Sequence, residues 1–155
     1  MKILAENKKA GFDYQILEKF QAGIVLTGQE VKSVKSGRIS IKGSYVVLRP
    51  GPKINKEEIF LIGANIPAYQ PKNASPDYRA ERSRKLLLNK REIKKLIGKI
   101  KEKGLTLVPL KVYTKNAIIK LEFGVGKGKK KADKREKIKK RDLNREIKRE
   151  LKLRG

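Results

Sequence analysis

A run rich in lysine and glycine carries the residues whose chemistry is easiest to predict. It reads Gly-Val-Gly-Lys-Gly-Lys-Lys-Lys-Ala-Asp-Lys-Arg from Gly124 to Arg135. Lysine ammonium groups and glycine backbone N–H groups both bind phosphate oxygens. The following residues, 136–155, contain no aromatic side chain and few apolar ones. The run therefore predicts a boundary between a folded domain, residues 1–124, and a phosphate-binding tail, residues 125–155.

The distribution of charge extends this prediction to the domain. The chain has 41 Lys and Arg against 16 Asp and Glu, a net charge of +25. Residues 125–155 hold 15 basic and 5 acidic side chains, which leaves a net charge of +15 for residues 1–124. Such an excess favours a polyanion, because each neutralised phosphate releases counterions. A basic domain with a basic tail predicts two RNA-binding surfaces.

The absence of cysteine and histidine removes several kinds of site. Without them there is no disulfide, no thiolate metal site and no imidazole for acid–base catalysis. Glu57 and Glu58 could hold a metal in principle, but their position at a strand start beside a Pro/Gly turn predicts that both are solvated. We therefore expect neither enzymatic activity nor a metal or cofactor. The apolar runs are too short for a signal peptide or a membrane span, so we expect a cytoplasmic protein without a membrane partner.

Apolar alternation predicts about six short strands in the domain. They are expected at 12–20, 24–26, 44–49, 58–62, 105–113 and 117–123, with a turn at 21–23 that makes a hairpin of the first two. The slip of the pattern at Leu17 predicts a bulge or bend, and Pro109 belongs at an edge or a bulge because it has no N–H to donate. Closure into a small antiparallel barrel would remove exposed edges, so the expected fold is mainly β, a closed or nearly closed barrel.

Residues 27–37 predict one or two helical turns. Val31 and Val34 lie at helical spacing, and Gly37 is a typical helix stop. Glu30 falls at the start of this helix. Four side chains are expected largely on its outer side: Lys32, Ser33, Lys35 and Ser36.

A longer helix is predicted from about residue 90 to residue 103. Its core-facing stripe consists of Ile93, Leu96, Ile97 and Ile100. Asn89 and Glu92 can form a capping box at its start. The preceding segment, residues 67–84, is a loop rich in proline and arginine, and its length is typical of functional or mobile loops.

The tail from Asp133 onward is expected to be disordered in the free protein. Favourable i,i+4 charge pairs are offset by like charges at the same spacing, and few apolar residues are present to compensate the ordering entropy. Phosphates would remove the repulsion, so we expect the tail to become helical on RNA. Two alternatives stay open: a solvated charged helix that acts as an electrostatic tether, or docking of the stripe Leu143, Ile147 and Leu151 on the barrel or on another copy.

Seven stretches form a set far more specific than any one of them. In order they are Asn7-Lys-Lys-Ala with Tyr14; Gly28-Gln-Glu-Val-Lys-Ser-Val-Lys-Ser-Gly37; Ser44-Tyr-Val; Gly63-Ala-Asn-Ile66; Arg84-Lys-Leu-Leu-Leu-Asn89 with Arg91-Glu92; Lys115-Asn-Ala with Lys120; and Gly124-Val-Gly-Lys-Gly-Lys-Lys130 followed by Asp133-Lys-Arg135. The set resembles the SsrA-binding proteins (small protein B), partners of transfer-messenger RNA, along nearly the whole chain.

The resemblance implies a small oligonucleotide-binding (OB) type barrel with flanking helices. It also implies a function in trans-translation: binding the tRNA-like domain of transfer-messenger RNA (tmRNA) and delivering it to stalled ribosomes. The implied partners are tmRNA and the ribosome, with elongation factor Tu and alanyl-tRNA synthetase reached through the tmRNA complex. The chain is expected to be a monomer. Leu143 departs from the family, which often carries an aromatic residue early in the tail.

The resemblance also implies which residues contact RNA. They are Asn7, Lys8, Lys9, Glu30, Lys32, Ser33, Asn65, Lys115, Asn116, Lys120, Lys127, Gly128 and Lys129. Lysine and glycine suit phosphates, whereas asparagine, serine and a carboxylate suit sugars and base edges. For Glu30 the alternative is a first-turn helix carboxylate, or one paired with a nearby lysine. Asp133, Lys134 and Arg135 match the tail motif that acts at the decoding centre of the small subunit, with the tail probing the empty mRNA channel.

A structural ribosomal protein, or a general RNA-binding protein with a basic tail, is the competing interpretation. Composition alone does not distinguish these two classes of protein from the family that the motifs resemble. The RNA recovered with the protein from cells would separate them, because a rescue factor predicts one dominant tmRNA and a ribosomal protein predicts stoichiometric rRNA.

Overall fold

One antiparallel sheet of seven strands forms the domain in the computed structural model, which describes residues 1–53 and 56–129 and the single positions 141 and 145. The strands are β1 (Lys2–Glu6), β2 (Tyr14–Ile24), β3 (Tyr45–Pro50), β4 (Glu57–Ile62), β5 (Arg84–Leu87), β6 (Leu105–Lys115) and β7 (Ile118–Gly128). Their order across the sheet is β1-β6-β7-β2-β5-β4-β3. Three α-helices flank the sheet, α1 (Ala10–Asp13), α2 (Gly28–Lys35) and α3 (Lys90–Ile100), with a 3₁₀ turn at Pro71–Asn73.

The predicted fold class, mainly antiparallel β with flanking helices, is confirmed, but the sheet does not close. β1 and β3 are its two edges, and no ladder joins them within the described residues. Contacts between β3 and β6 show that the sheet curls. The word barrel therefore describes this molecule only loosely. β1 was not expected, and the segment at 84–87 forms a further strand.

The predicted hairpin between residues 12 and 26 is wrong, because β2 runs without a turn from Tyr14 to Ile24. Gln21, Ala22 and Gly23, which were expected to form the turn, pair instead with β7. Gly23 also pairs with β5. Pairing with β7 at all three residues, and with β5 at Gly23, holds them extended, whatever their local turn preference. The predicted bulge is confirmed by the shift in register between Ile16 and Glu18.

β7 continues four residues beyond the predicted domain boundary at residue 124. Gly124, Val125 and Gly126 are buried inside this strand. A Cβ on Gly124 would lie 2.7 Å from Cγ2 of Ile16, so the glycine permits close approach of β2. The Lys129 backbone N–H donates to the Asp13 carbonyl at 3.0 Å. The first half of the Lys/Gly run therefore belongs to the packed sheet, and the folded part extends at least to Lys129.

The two predicted helices are confirmed, and capping boxes define their starts. In α2 the Thr27 hydroxyl accepts from the Glu30 N–H and the Glu30 carboxylate accepts from the Thr27 N–H. Asn89 and Glu92 form the same pair at the start of α3. Such caps satisfy backbone donors that a helix leaves unpaired. α3 ends at Ile100, three residues before the predicted end.

The hairpin between β6 and β7 is confirmed with a turn slightly later than predicted. Asn116 and Ala117 occupy the turn with φ of 51° and 64°, the left-handed pair that matches the twist of a two-residue hairpin. Pro109 lies at a shift in the β6–β7 register, as its missing donor predicts.

The core lies between the curled sheet and the two longer helices. The rings of Phe20 and Phe123 stack at 5.6 Å between centroids. Val34 from α2 and Leu96 from α3 are fully buried against the sheet. Each such side chain contributes about 1.5–3 kcal/mol of burial free energy. Within the described residues no helix has both the length and the apolar character needed to cross a membrane.

Candidate nucleic-acid interface

The predicted RNA-contact residues fall into three groups in space. The lead-in cluster consists of Asn7, Lys8 and Lys9 before α1 together with Lys127, Gly128 and Lys129 at the end of β7. The turn cluster consists of Lys115, Asn116 and Lys120 around the β6–β7 turn. The α2 group consists of Glu30, Lys32 and Ser33 with Asn65. Asp133, Lys134 and Arg135, like Leu143, lie outside the described residues, where only Arg141 and Arg145 are described beyond Lys129, both exposed in helical backbone.

The lead-in cluster is held together by bonds between α1 and the end of β7. The Lys129 ammonium donates to the Gly11 carbonyl at 2.9 Å. The Asn7 amide Nδ2 donates to the Pro109 carbonyl at 2.9 Å and its backbone N–H to Leu110 at 2.8 Å. Asn7 therefore anchors the segment that precedes α1, while Lys8 and Lys9 are exposed on it.

Lys127 and Gly128 lie on the solvent-facing side of the same cluster. Both are exposed, and β7 pairs them with Gln15 and Tyr14 at the start of β2. Lys8, Lys9 and Lys127 make no ion pair with any acid in the described part of the chain. Several uncompensated ammonium groups on one surface produce a positive potential that attracts phosphates.

The turn cluster lies at the opposite end of β7. Lys115 and Asn116 are exposed at the turn, and the half-buried Lys120 pairs with Tyr113 on one side and Gly23 on the other. Seven residues of strand separate Lys120 from Lys127, which corresponds to roughly 23 Å at about 3.3 Å per residue. The two clusters can therefore contact two separate segments of one RNA backbone.

Glu30, in the α2 group, is buried rather than exposed. The residue is 1 % exposed, and Arg84 is completely buried. Glu30 Oε2 accepts from Nε and Nη2 of Arg84 at 2.9 and 2.6 Å. Oε1 accepts from Arg82 at 2.5 Å and from the Thr27 N–H at 2.9 Å. Both oxygens are thus occupied inside the protein.

Arg84 extends this ion network to the loop that follows β4. Its guanidinium also donates to the carbonyls of Ala64 and Ala80, at 2.7 and 2.9 Å. The network therefore ties the start of α2, the end of β4, the loop and β5 to one buried point. Satisfied hydrogen bonds of this kind are what make a buried charge tolerable.

The network lowers the pKa of Glu30. Burial by itself raises the pKa of this carboxyl, but the Thr27 N–H, Arg82 and Arg84 together outweigh burial and leave the pKa below its ordinary value of 4.5. At neutral pH the group is therefore an anion, paired with two guanidinium groups. Burial and the negative charge of Glu30 raise the pKa of the nearby Tyr78 hydroxyl.

Ser33 and Asn65 also have structural partners. Ser33, expected on the outer side of α2, is completely buried, and its hydroxyl donates to the Pro67 carbonyl at 2.6 Å. The expected outward position of Ser33 is thus wrong. The reason is that α2 packs its Glu30–Ser33–Val34 face on the sheet and the loop. Asn65, half-buried, exchanges backbone hydrogen bonds with Ser40. Lys32 is exposed.

The loop of residues 67–84 is tied to the domain at several points. The Tyr78 hydroxyl donates to the Ile66 carbonyl at 2.5 Å, and the Ile66 N–H donates to Ala80 at 2.9 Å. Arg82 and Arg84 are the partners of Glu30 that the sequence interpretation missed. Nothing local indicates them, because they lie 52 and 54 residues from Glu30.

No acidic cluster of the described residues could hold a metal ion. Glu58, considered for such a role, lies 3.6 Å from the Lys85 ammonium as a partly exposed ion pair. Glu57 is half-buried at the start of β4.

Comparison with known proteins gives a consistent result. The family model described as SmpB protein matches residues 4–153. An SsrA-binding protein from Geobacillus kaustophilus is 50 % identical over 148 residues, covering 96 % of this chain and 91 % of the relative. An SsrA-binding protein from Trichormus variabilis is 46 % identical over 151 residues, covering 97 % and 94 %.

A solved structure described as "tmRNA-SmpB: a journey to the center of the bacterial ribosome" contains a similar chain. The two superpose with a TM-score of 0.62 at 38 % sequence identity, covering 86 % of this chain and 92 % of the other. The likeness thus includes sequence, fold and nearly the full length.

Proposed function

The chain belongs to the SmpB family, and from that premise we propose that it is a non-enzymatic RNA-binding protein of trans-translation. It binds the tRNA-like domain of tmRNA and delivers it to stalled ribosomes. Membership across residues 4–153 is the observation that carries this proposal. The names of the relatives, SsrA-binding protein and tmRNA-SmpB, support tmRNA and the ribosome as partners.

Two exposed basic clusters support the RNA-binding role. In the lead-in cluster, Lys8, Lys9 and Lys127 contact phosphates, and the exposed Gly128 lets the backbone approach. In the turn cluster, Lys115 and Lys120 contact phosphates and Asn116 a sugar or base edge. Contacts of this kind fix the register and orientation of the protein on the RNA. Because the two clusters lie at opposite ends of β7, they can bind two separate segments of the RNA backbone.

Glu30 and Ser33 act as positioning residues in this proposal. The Glu30 carboxylate fixes Arg82, whose side chain is 41 % exposed at the surface. Ser33 holds α2 against the loop through its hydrogen bond to the Pro67 carbonyl. This position of α2 presents the exposed Lys32 to the RNA. Asn65 lies beside them on the strand-like segment paired with Ser40.

The tail acts after RNA binding. Asp133, Lys134 and Arg135 probe the decoding centre, and the rest of the tail enters the empty mRNA channel. The tail is helical on the ribosome. Elongation factor Tu and alanyl-tRNA synthetase join through the tmRNA complex, and the protein acts as a monomer.

RNA binding by the domain and the action of the tail on the ribosome can be tested separately. Lys120→Glu is expected to weaken binding of purified tmRNA at matched salt, because it replaces a phosphate-binding cation.

Replacing Asp133, Lys134 and Arg135 with alanine is expected to leave tmRNA affinity nearly intact but to abolish peptide tagging in a reconstituted translation reaction. Tagging that survives this change would reduce the tail to an electrostatic tether. Recovery of stoichiometric rRNA instead of tmRNA after high-salt washing would contradict the proposal and favour a structural ribosomal protein.

A further inference from the structure

A cleft of about 360 Å³ lies between α1, the turn that precedes β3 and the first half of β6. Its lining includes Asn7, Lys9, Tyr14, Lys42, Tyr45 and Pro109. The volume lies at the small end of ligand sites, which commonly run from about 300 to 1,000 Å³. The volume of the cleft therefore suits one small group rather than a stack of several.

Tyr45 is the most exposed aromatic residue of the protein, with 51 % of its surface in solvent. Tyr78 and Tyr113 use their hydroxyls for hydrogen bonds within the fold, to the Ile66 carbonyl and to Gln21, whereas no described residue bonds the Tyr45 hydroxyl. Internal hydrogen bonding therefore leaves the Tyr45 hydroxyl, and packing leaves about half of the residue's surface, open to a ligand.

The backbone holds Tyr45 at a fixed point. It is the first residue of β3, paired with Ile62. In the turn before it, the N–H and the hydroxyl of Ser44 both donate to the Ile41 carbonyl, at 3.1 and 2.6 Å. A ring presented from a rigid strand end loses little conformational entropy when a ligand stacks on it.

Two lysine residues line the same cleft as the Tyr45 ring. Lys9 and Lys42 both line the cleft and are exposed, and neither forms an ion pair with a described acid. Asp13 is the one carboxylate in the lining. An exposed aromatic ring beside basic side chains is the arrangement by which proteins bind unpaired nucleotides, because bases stack on the ring while phosphates meet the cations.

We propose that this cleft binds one unpaired RNA nucleotide, with its base stacked on Tyr45 and its flanking phosphates against Lys9 and Lys42. Lys9 also belongs to the lead-in cluster, so the stacked base would be continuous with the backbone contacts made there. The inference deepens the proposed function: it says that the protein recognises an unpaired loop of its RNA at this point, and not only the shape of a duplex.

A tryptophan at position 45 provides a direct test, since the chain has none of its own. Tyr45→Trp is titrated with a single-stranded oligoribonucleotide of ten uridines and with an abasic oligomer of equal length and charge. Stacking is expected to quench the fluorescence with the uridine oligomer and not with the abasic one. The control is Leu87→Trp, at a position 54 % exposed and outside the cleft, which should show little quenching. Equal quenching by both oligomers would overturn stacking.

Affinity measurements on ring variants complete the test. Tyr45→Leu is expected to lower affinity for the uridine oligomer and for tmRNA about tenfold, within the range observed for loss of one base–aromatic stack. Tyr45→Phe keeps the ring and should bind within about twofold of the parent. Undiminished tmRNA affinity in Tyr45→Leu would overturn the cleft and leave the proposed function standing. Conversely, base-dependent quenching in a protein that fails to bind tmRNA would support the cleft and refute the proposed function.

Discussion

The two ends of β2 place charged side chains in opposite environments. Beyond its end at Ile24, Glu30, Arg82 and Arg84 form a network in which the carboxylate and one guanidinium are almost completely buried. Beside its start at Tyr14 lies the lead-in cluster, in which Lys8, Lys9 and Lys127 are exposed and form no ion pair with an acid in the described residues. The first arrangement stabilises the fold, and the second leaves positive charge available to a partner. In a chain of net charge +25, burial rather than residue type decides which charges are satisfied inside the protein and which remain open to a partner.

Glu30→Gln is the strongest test of this comparison. The change is nearly isosteric but leaves the buried Arg84 without a counter-charge, so the free energy of unfolding should fall by about 3–5 kcal/mol. Urea unfolding measures the effect, and Glu81→Gln, at an exposed position, is the matched control with a change below about 0.5 kcal/mol. Wild-type stability combined with a large loss of RNA affinity would instead restore Glu30 as a direct RNA contact.

Acid should weaken the network selectively. Because the folded-state pKa of Glu30 is lowered, its contribution to stability is complete above the ordinary pKa of 4.5 and is lost as the pH falls below that value. Unfolding midpoints measured from pH 7 to pH 3 should therefore drop in the parent protein. The drop should be smaller in Glu30→Gln, and identical pH profiles for the two proteins would contradict a lowered pKa.

Two glycines of β7 allow a buried position and an exposed position to be compared within one strand. Gly124→Ala should destabilise the fold by about 1–3 kcal/mol, because the new Cβ would lie 2.7 Å from Ile16 and 3.2 Å from the Glu18 carbonyl. Gly128→Ala meets no atom within 4 Å and should change stability by less than about 0.5 kcal/mol. Thermal unfolding of both variants measures the difference. Equal effects would mean that the strand does not divide into a packed half and an exposed half.

The smallest effects on the fold are expected in the lead-in cluster. Lys9→Ala and Lys127→Ala should leave stability unchanged within about 0.5 kcal/mol, since both side chains are exposed. Each should reduce the slope of log affinity for tmRNA against log salt by about 0.7–0.9, the share of one phosphate contact. Binding measured from 50 to 300 mM salt provides the slope, and Lys101→Ala, an exposed lysine after α3, is the control. An unaltered slope would count against phosphate contact by these residues.

The sequence interpretation succeeded where structure depends on neighbouring residues. The capping box at Asn89 and Glu92, the bulge near Leu17 and the shift at Pro109 each follow from a few residues in succession, and all are confirmed. It failed at residues 21–23, where flanking strands override a local turn preference. It failed again at Ser33, whose burial depends on a loop 34 residues away.

What the sequence determined by itself is the chemistry available to this protein: an excess of lysine, no histidine or cysteine, and a set of motifs specific enough to indicate the family. These properties are fixed by residue type and order, so no fold is needed to see them. Only the tertiary structure decided which charges are free to bind. Glu30 meets Arg84 across 54 residues of chain, and desolvation depends on everything that packs around a group rather than on its neighbours in sequence.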